Sequence, residues 1–252
     1  MRMLLSVILF QFIVCVSVKA QVPIQKDGNG NILNLGDMKS MNAMYDIQVD
    51  GLDKGAQRMP YSQIKGSPFW KDIWMPAAIY NGSNTYLGKV DVKLNLANHT
   101  FYYHGKNQSE LVASPEIARR IVVYNPEDTA TIVAVFDNTM DEVVPGSKAG
   151  EYYVQELNQG NYQLCKMTKK PVLSADSLFG TMKRYFFGTT TRYFVKTKGM
   201  LKPLKKMRKE NIMTLLPKGS ACEEWLKAND IDWKNEDDVL RFFSYYNKEQ
   251  AQ

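Results

Sequence analysis

Lys89-Val90-Asp91-Val92-Lys93-Leu94-Asn95-Leu96 decides the fold class. Val90, Val92, Leu94 and Leu96 alternate with charged or polar residues, and a period of two sends successive side chains to opposite faces of a strand. Three further segments repeat the pattern: Tyr45-Asp46-Ile47-Gln48-Val49, Thr131-Ile132-Val133-Ala134-Val135-Phe136 and Tyr152-Tyr153-Val154-Gln155-Glu156-Leu157. Turn signals punctuate the chain at Asp50-Gly51, Asn81-Gly82, His104-Gly105, Pro145-Gly146 and Gly160-Asn161. Short connections of this kind suit hairpins, since parallel neighbours need a crossover of about a dozen residues or more. Tyr185-Phe186-Phe187-Gly188 and Arg192-Tyr193-Phe194-Val195-Lys196 read as one further aromatic hairpin.

The last fifty or so residues change character. Ser220-Ala221-Cys222-Glu223 has the side chains of a capping box, with Trp225 and Leu226 following as the apolar side. Asn235-Glu236-Asp237-Asp238 places negative charge at the start of another helix, and Val239, Leu240, Phe242, Phe243 and Tyr246 form its apolar stripe. A third helical segment is expected over Lys206 to Leu216, ending at Pro217. The expected fold is α+β and mostly β: an antiparallel sandwich or partly open barrel of hairpins over residues 45–200, with two or three short helices over 201–252 packed on it.

Outside this body, Met1-Arg2-Met3 leads into an apolar run from Leu4 to Val18 and ends at Val18-Lys19-Ala20. A positive start, an apolar centre and small residues at the end are the features of a cleaved export signal, so residues 1–20 are expected to be removed before Gln21. The run is short of the roughly 20 residues that a membrane helix wants. Cys15 does not fit a lipid attachment site, because the bulky Phe12-Ile13-Val14 precede it. Residues 21–44, with the turn-rich Asp27-Gly28-Asn29-Gly30-Asn31, read as a flexible lead-in. Loss of Arg2 and Lys19 lowers the formal charge of +6 by two. That modest excess permits acidic partners without demanding one.

Chemistry-bearing residues are few. His99 and His104 are the chain's two histidines. Within one strand their offset of five would point them to opposite faces, so no metal site and no cofactor is expected. There is no Gly-x-Ser-x-Gly elbow, and Ser67 in Gly66-Ser67-Pro68 has no base beside it in sequence. A glycosidase pair of carboxylates about 5 to 10 Å apart would have no local motif, which keeps a glycan or peptide hydrolase with scattered residues as the competing class. Trp70 and Trp74, four apart, are candidates for a platform under a sugar ring; the alternative is that they cover one end of the sheet. Lys196, Lys198, Lys202, Lys205, Lys206, Arg208 and Lys209 form a basic run with no acid between them, a candidate surface for phosphates at an anionic membrane or otherwise a solvated face. Cys165 and Cys222 are a candidate disulfide if export takes them to an oxidising compartment. No nucleic-acid-binding module is recognisable.

The order of several segments resembles a family of uncharacterised exported β-rich proteins of Bacteroidetes. The resemblance is carried by Gly66-Ser67-Pro68-Phe69 followed by Trp74, by Val90 to Leu96 with Phe101 after it, and by Ser114-Pro115-Glu116-Ile117. It continues with Tyr152 to Leu157 leading to Leu164, and with Glu236 to Leu240 and Tyr245-Tyr246-Asn247. It spans residues 60–250 and implies an envelope or secreted location in a bacterium, with no catalytic residue to carry over. A bacterial host would also make Asp128-Thr129-Ala130 and Asp176-Ser177-Leu178 similar to the O-glycosylation signal of that group, and would leave the sequons at Asn81, Asn98 and Asn107 without a role. The function expected is therefore a non-catalytic binding module, with a glycan, an envelope protein or an anionic membrane surface as partner.

Overall fold

The structure, a computed structural model, describes residues 25–26, 30, 32–37, 46–50, 56–105, 108–139, 148, 150–176, 183–217 and 221–250. The expected export signal, most of the lead-in and Ser220 of the expected capping box lie outside the described residues. The strands in chain order are β1 (Gln25–Lys26), β2 (Ile32–Asn34), β3 (Gly36–Asp37), β4 (Asp46–Asp50), β5 (Ala56–Pro60), β6 (Met75–Tyr80), β7 (Tyr86–Asn95), β8 (Thr100–His104) and β9 (Glu110–Ala113). They continue with β10 (Arg120–Tyr124), β11 (Ile132–Asn138), β12 (Tyr153–Glu156), β13 (Tyr162–Lys169), β14 (Val172–Asp176), β15 (Lys183–Phe187), β16 (Thr190–Thr197) and β17 (Met200–Leu204). The helices α1 (Lys209–Met213), α2 (Ala221–Ala228) and α3 (Glu236–Glu249) follow.

Eleven strands form one sheet in the order β17-β16-β13-β12-β11-β10-β6-β7-β8-β9-β3, every neighbouring pair antiparallel. In β7 the expected alternation is realised: Val90, Val92 and Leu94 are buried, Lys89 and Asp91 exposed. The buried set meets Met75, Ala77 and Ile79 of β6, Phe101 and Tyr103 of β8, Ile121 and Val123 of β10, Phe136 of β11 and Tyr153 of β12 in one core.

That core can exist only if the sheet bends. Five strand steps separate β8 from β12 in the sheet order, about 24 Å across a flat sheet at the usual strand spacing. Yet the Phe101 ring on β8 sits 4.8 Å from Tyr153 on β12 and 5.6 Å from Phe136 on β11, centroid to centroid. The sheet is therefore a curled trough whose concave face closes on its own aromatic side chains. Its edge strands β17 and β3 do not pair with each other, so it is a partly open barrel rather than a closed one. Two buried tyrosines in the trough satisfy their hydroxyls: Tyr153 donates to the Ala118 carbonyl at 2.7 Å, and Tyr103 accepts from the Leu35 amide at 2.8 Å.

The same face continues beyond the trough. Gln155 pairs with Lys166 and Leu164 with Val195, and directly paired residues share a face, so the side of Tyr153 is also the side of Leu164 and Val195. There the cover is helical. Ile212 of α1, Cys222 of α2 and Val239, Phe242, Phe243 and Tyr246 of α3 bury themselves against Leu164, Val195 and Leu204. The start of α3 is as expected: the Asn235 Oδ1 accepts from the Asp237 amide at 2.9 Å, and three acidic residues fill the first turn. Asn247 at its far end clamps β13, accepting from the Tyr162 amide at 2.9 Å and donating to its carbonyl at 2.8 Å. Gly160 makes this possible, since a Cβ there would lie 2.5 Å from the Asn247 side chain and the backbone φ is +119°.

Two expectations are corrected. The aromatic segments 185–188 and 192–196 do not pair with each other: β15 pairs with β14 in a separate two-stranded unit, whereas β16 lies between β13 and β17 in the main sheet. No disulfide joins Cys165 and Cys222. Leu164 and Cys165 are successive residues of β13 and so face opposite ways. Leu164 and Cys222 share the helix-covered side, while Cys165 packs with Met167 and Phe194 on the other, so the sheet itself stands between the sulfurs.

Truncating the ring that spans the trough removes contacts to two distant strands at once. Phe101→Ala should cost about 3 to 5 kcal/mol in urea unfolding; a loss below about 1 kcal/mol would show that the curl does not depend on it.

Candidate functional site

Strand β17 ends at Leu204, whose side chain enters the helix-covered core. The next residues, Lys205–Arg208, bend across the surface before α1 begins. This bend, the Thr191–Phe194 portion of β16 and Lys234 from the α2–α3 connection together enclose a cleft of about 590 Å³. Five cations line it: Arg192, Lys205, Lys206, Arg208 and Lys234. Phe194, Pro203, Leu204 and Met207 supply apolar wall, and no carboxylate belongs to the lining. Lys234 is held in place through its amide, which donates to the Asp232 carboxylate at 2.9 Å.

A carboxylate does stand behind the wall, and it is balanced from elsewhere. The Tyr193 hydroxyl donates to Glu236 at 2.8 Å, and Lys166 Nζ lies 2.9 Å from both oxygens of that carboxylate. Burial, together with the neighbouring Glu236, pushes the Tyr193 phenol far above its ordinary value, so it stays a donor. The cleft cations thus keep their field for whatever enters.

The basic run predicted from sequence is split by the fold. Lys205, Lys206 and Arg208 line the cleft, whereas Lys198, Lys202 and Lys209 do not. Lys196 is committed elsewhere: its Nζ lies 2.9 Å from Asp137 and 3.6 Å from Glu156. Arg192 and Lys234 were missed by sequence reasoning, being separated from the run by strand alternation in one case and by two helices in the other. No local signal marks either.

Lys196 belongs to a quartet on the convex face. Arg120 Nη1 donates to both oxygens of Asp137 at 2.9 and 3.0 Å and to Glu156 at 3.1 Å, while its Nη2 reaches the second Glu156 oxygen at 2.8 Å. Burial pushes the Glu156 carboxyl up, and its contact with Asp137 adds to this against the pull of Arg120. For Asp137 burial acts upward too, but its hydrogen bond with Glu156 and the charges of Lys196 and Arg120 outweigh it and hold the carboxyl low. The two titrate as one coupled unit, with Glu156 shifted up and Asp137 shifted down. Both carboxylates accept from the same guanidinium nitrogen, a geometry that gives Asp137 and Glu156 to the sheet as a cross-strand tie.

The remaining candidates are dispersed. Trp70 turns toward the trough and meets Phe136 edge-on at 5.2 Å. Trp74 belongs to a different cluster, with Phe69, Tyr102 and Val112, and lies 3.8 Å from the His104 ring. The two indoles therefore share no platform. Ser67 donates to Asp72 at 2.8 Å and accepts from the Phe69 amide at 3.3 Å, which shapes a turn. Among the described residues no group of three His, Cys, Asp or Glu side chains could hold a metal ion, and no helix is long and apolar enough to cross a membrane.

His99 is not in a strand. It sits at φ +53° in the turn before β8, 6% exposed, with its ring 4.8 Å from Tyr152. Burial, reinforced by the charge of Lys169, brings its pKa down to about 4. An unfolded chain binds this proton near pH 6.5, whereas the folded one refuses it until about pH 4. Stability contributed by the neutral ring is complete above pH 6.5 and is lost as pH falls from there toward 4, by about 3 kcal/mol in all. His99→Asn, which tolerates the left-handed backbone, should flatten that limb of a stability–pH profile measured by denaturant unfolding; an unchanged slope would contradict the assignment. Compared with known proteins, the chain matches no family model, no curated protein and no solved structure.

Proposed function

We propose that the chain is an exported, non-catalytic binding protein that takes a phosphate- or sulfate-bearing polyanion in the cleft between β16, the Lys205–Arg208 bend and Lys234. The observation that carries the reading is the convergence of five cations from three separate stretches of chain on one cavity without a lining carboxylate. Like charges gathered in this way repel one another, and an anion relieves that repulsion while gaining attraction to each. The apolar wall of Phe194, Pro203, Leu204 and Met207 lowers the local dielectric and strengthens the effect. Export is part of the proposal and rests on the Met1–Ala20 segment and on the resemblance to exported bacterial proteins.

Two sources present this chemistry, an anionic lipid surface and a sulfated glycan. The chain lacking residues 1–20 is titrated with phosphatidylglycerol vesicles in one arm and with a heparin-derived oligosaccharide in the other. Binding in at least one arm, weakening steeply as salt shortens the reach of the charges, is the expected result. Lys206→Glu combined with Arg208→Glu should lower the affinity by about 10- to 100-fold, since each cation contributes about 1 kcal/mol near an anionic surface. Binding in the vesicle arm alone assigns the membrane, and in the glycan arm alone the polysaccharide. No binding in either arm, or binding that the double variant leaves intact, overturns the proposal.

A further inference from the structure

We infer that the β6–β7 turn and the adjoining ends of β10 and β11 form a second site, for a neutral saccharide, distinct from the basic cleft. A pocket of about 200 Å³ opens there, and Asn81, Asn84, Arg119, Asp137 and Asn138 are among its lining residues. Every lining residue is polar, charged or glycine, so the pocket offers hydrogen bonds and no apolar wall of its own. It is large enough for several waters, and so for the hydroxyl-bearing edge of one sugar ring. Planar amide, carboxylate and guanidinium groups each present a pair of polar atoms that matches neighbouring hydroxyls.

Charge separates this site from the cleft. Arg120 and Lys196, which also line the pocket, are already engaged by Asp137 and Glu156. Two of the pocket's three cations are thus compensated, whereas the cleft gathers five with no carboxylate in its lining. Asn138 points to what is wanted instead. It is 8% exposed, its Nδ2 is fixed by donation to the Gly150 carbonyl at 3.1 Å, and its buried Oδ1 meets no donor. A buried acceptor of this kind is satisfied by a hydroxyl and not by an anion.

Two tyrosines outside the pocket's lining add aromatic surface next to the same turn. Tyr80 and Tyr86 flank the turn with ring centroids 5.6 Å apart, and Tyr86 is 48% exposed. Tyr80 is the register partner of Arg120, so its ring stands on the same face as the pocket's guanidinium. Ring faces of tyrosine pack well against the C–H face of a sugar while the hydroxyl edge reaches polar groups. The turn is built in advance: Asn81 Oδ1 accepts from the Ser83 amide at 3.0 Å and the Thr85 amide at 2.8 Å, and Asn84 holds φ +57°. A site that is already ordered loses little entropy on binding.

Cellohexaose, maltohexaose and mannohexaose serve as probes in calorimetric titration at up to about 10 mM, the range in which weak single-site sugar binding is still measurable. Asn84→Gly removes one lining side chain while keeping the left-handed backbone, and Tyr86→Ser removes the exposed ring. Thermal unfolding of both variants checks that the fold is retained. Saturable binding of at least one probe, weakened about tenfold or more in each variant and unchanged in Lys206→Glu, is the expected result. Failure of all three probes to bind, or binding that neither Asn84→Gly nor Tyr86→Ser weakens, overturns the inference. Loss with Lys206→Glu alone overturns it as well, by placing the sugar in the cleft.

Discussion

The packing of Phe101 against Phe136 and Tyr153 across the trough is the contact on which the rest of this structure depends. A sheet of eleven strands has more apolar surface on one face than any single covering element here can hide. The chain hides it in two ways along the same face. Between β6 and β12 the sheet bends until its aromatic side chains touch one another. From β13 to β17 three helices cover it. The convex face carries smaller apolar clusters around Phe194 and Tyr102 beside the Arg120 quartet, and both candidate sites sit where convex-face strands reach a turn or a helix connection.

Much of this was legible in the chain itself. The alternation in β7, β11 and β12 is a local property, because the period of two is written in neighbouring residues. So are the cap at Asn235 and the stripe Val239, Phe242, Phe243 and Tyr246, all buried as their spacing requires. Pairing is another matter. Tyr185–Phe187 and Arg192–Lys196 each have strand character, yet β15 turns back on β14 while β16 is claimed by β13 over eight paired positions. The choice between partners is made by long-range packing that short segments do not encode. The disulfide expectation failed for a similar reason: one step along β13, from Leu164 to Cys165, moves a sulfur to the other side of the sheet.

The sites divide along the same line. A run of cations between Lys196 and Lys209 is visible as composition, but whether a cation is used up or left over is decided by the fold. Lys196 is neutralised across strands by Asp137 and Glu156. Lys205, Lys206 and Arg208 instead meet Arg192 and Lys234 around a cavity with no carboxylate in its lining. The polar pocket by the β6–β7 turn was invisible in the sequence apart from its Asn81-Gly82 turn signal, since its residues come from that turn, from the ends of β10 and β11, and from β16. Compensated charge ties the sheet together, and uncompensated charge or an unsatisfied amide oxygen marks a place where a ligand has something to gain.

The bend of the sheet is tested most directly by nuclear Overhauser contacts between specifically labelled aromatic rings in solution. The account predicts cross-peaks from the Phe101 ring to the rings of both Tyr153 and Phe136, whose centroids lie 4.8 and 5.6 Å away. A Phe101 ring that shows contacts only to residues of its neighbouring strands β7 and β9 would mean an open, flat sheet, and would contradict the account.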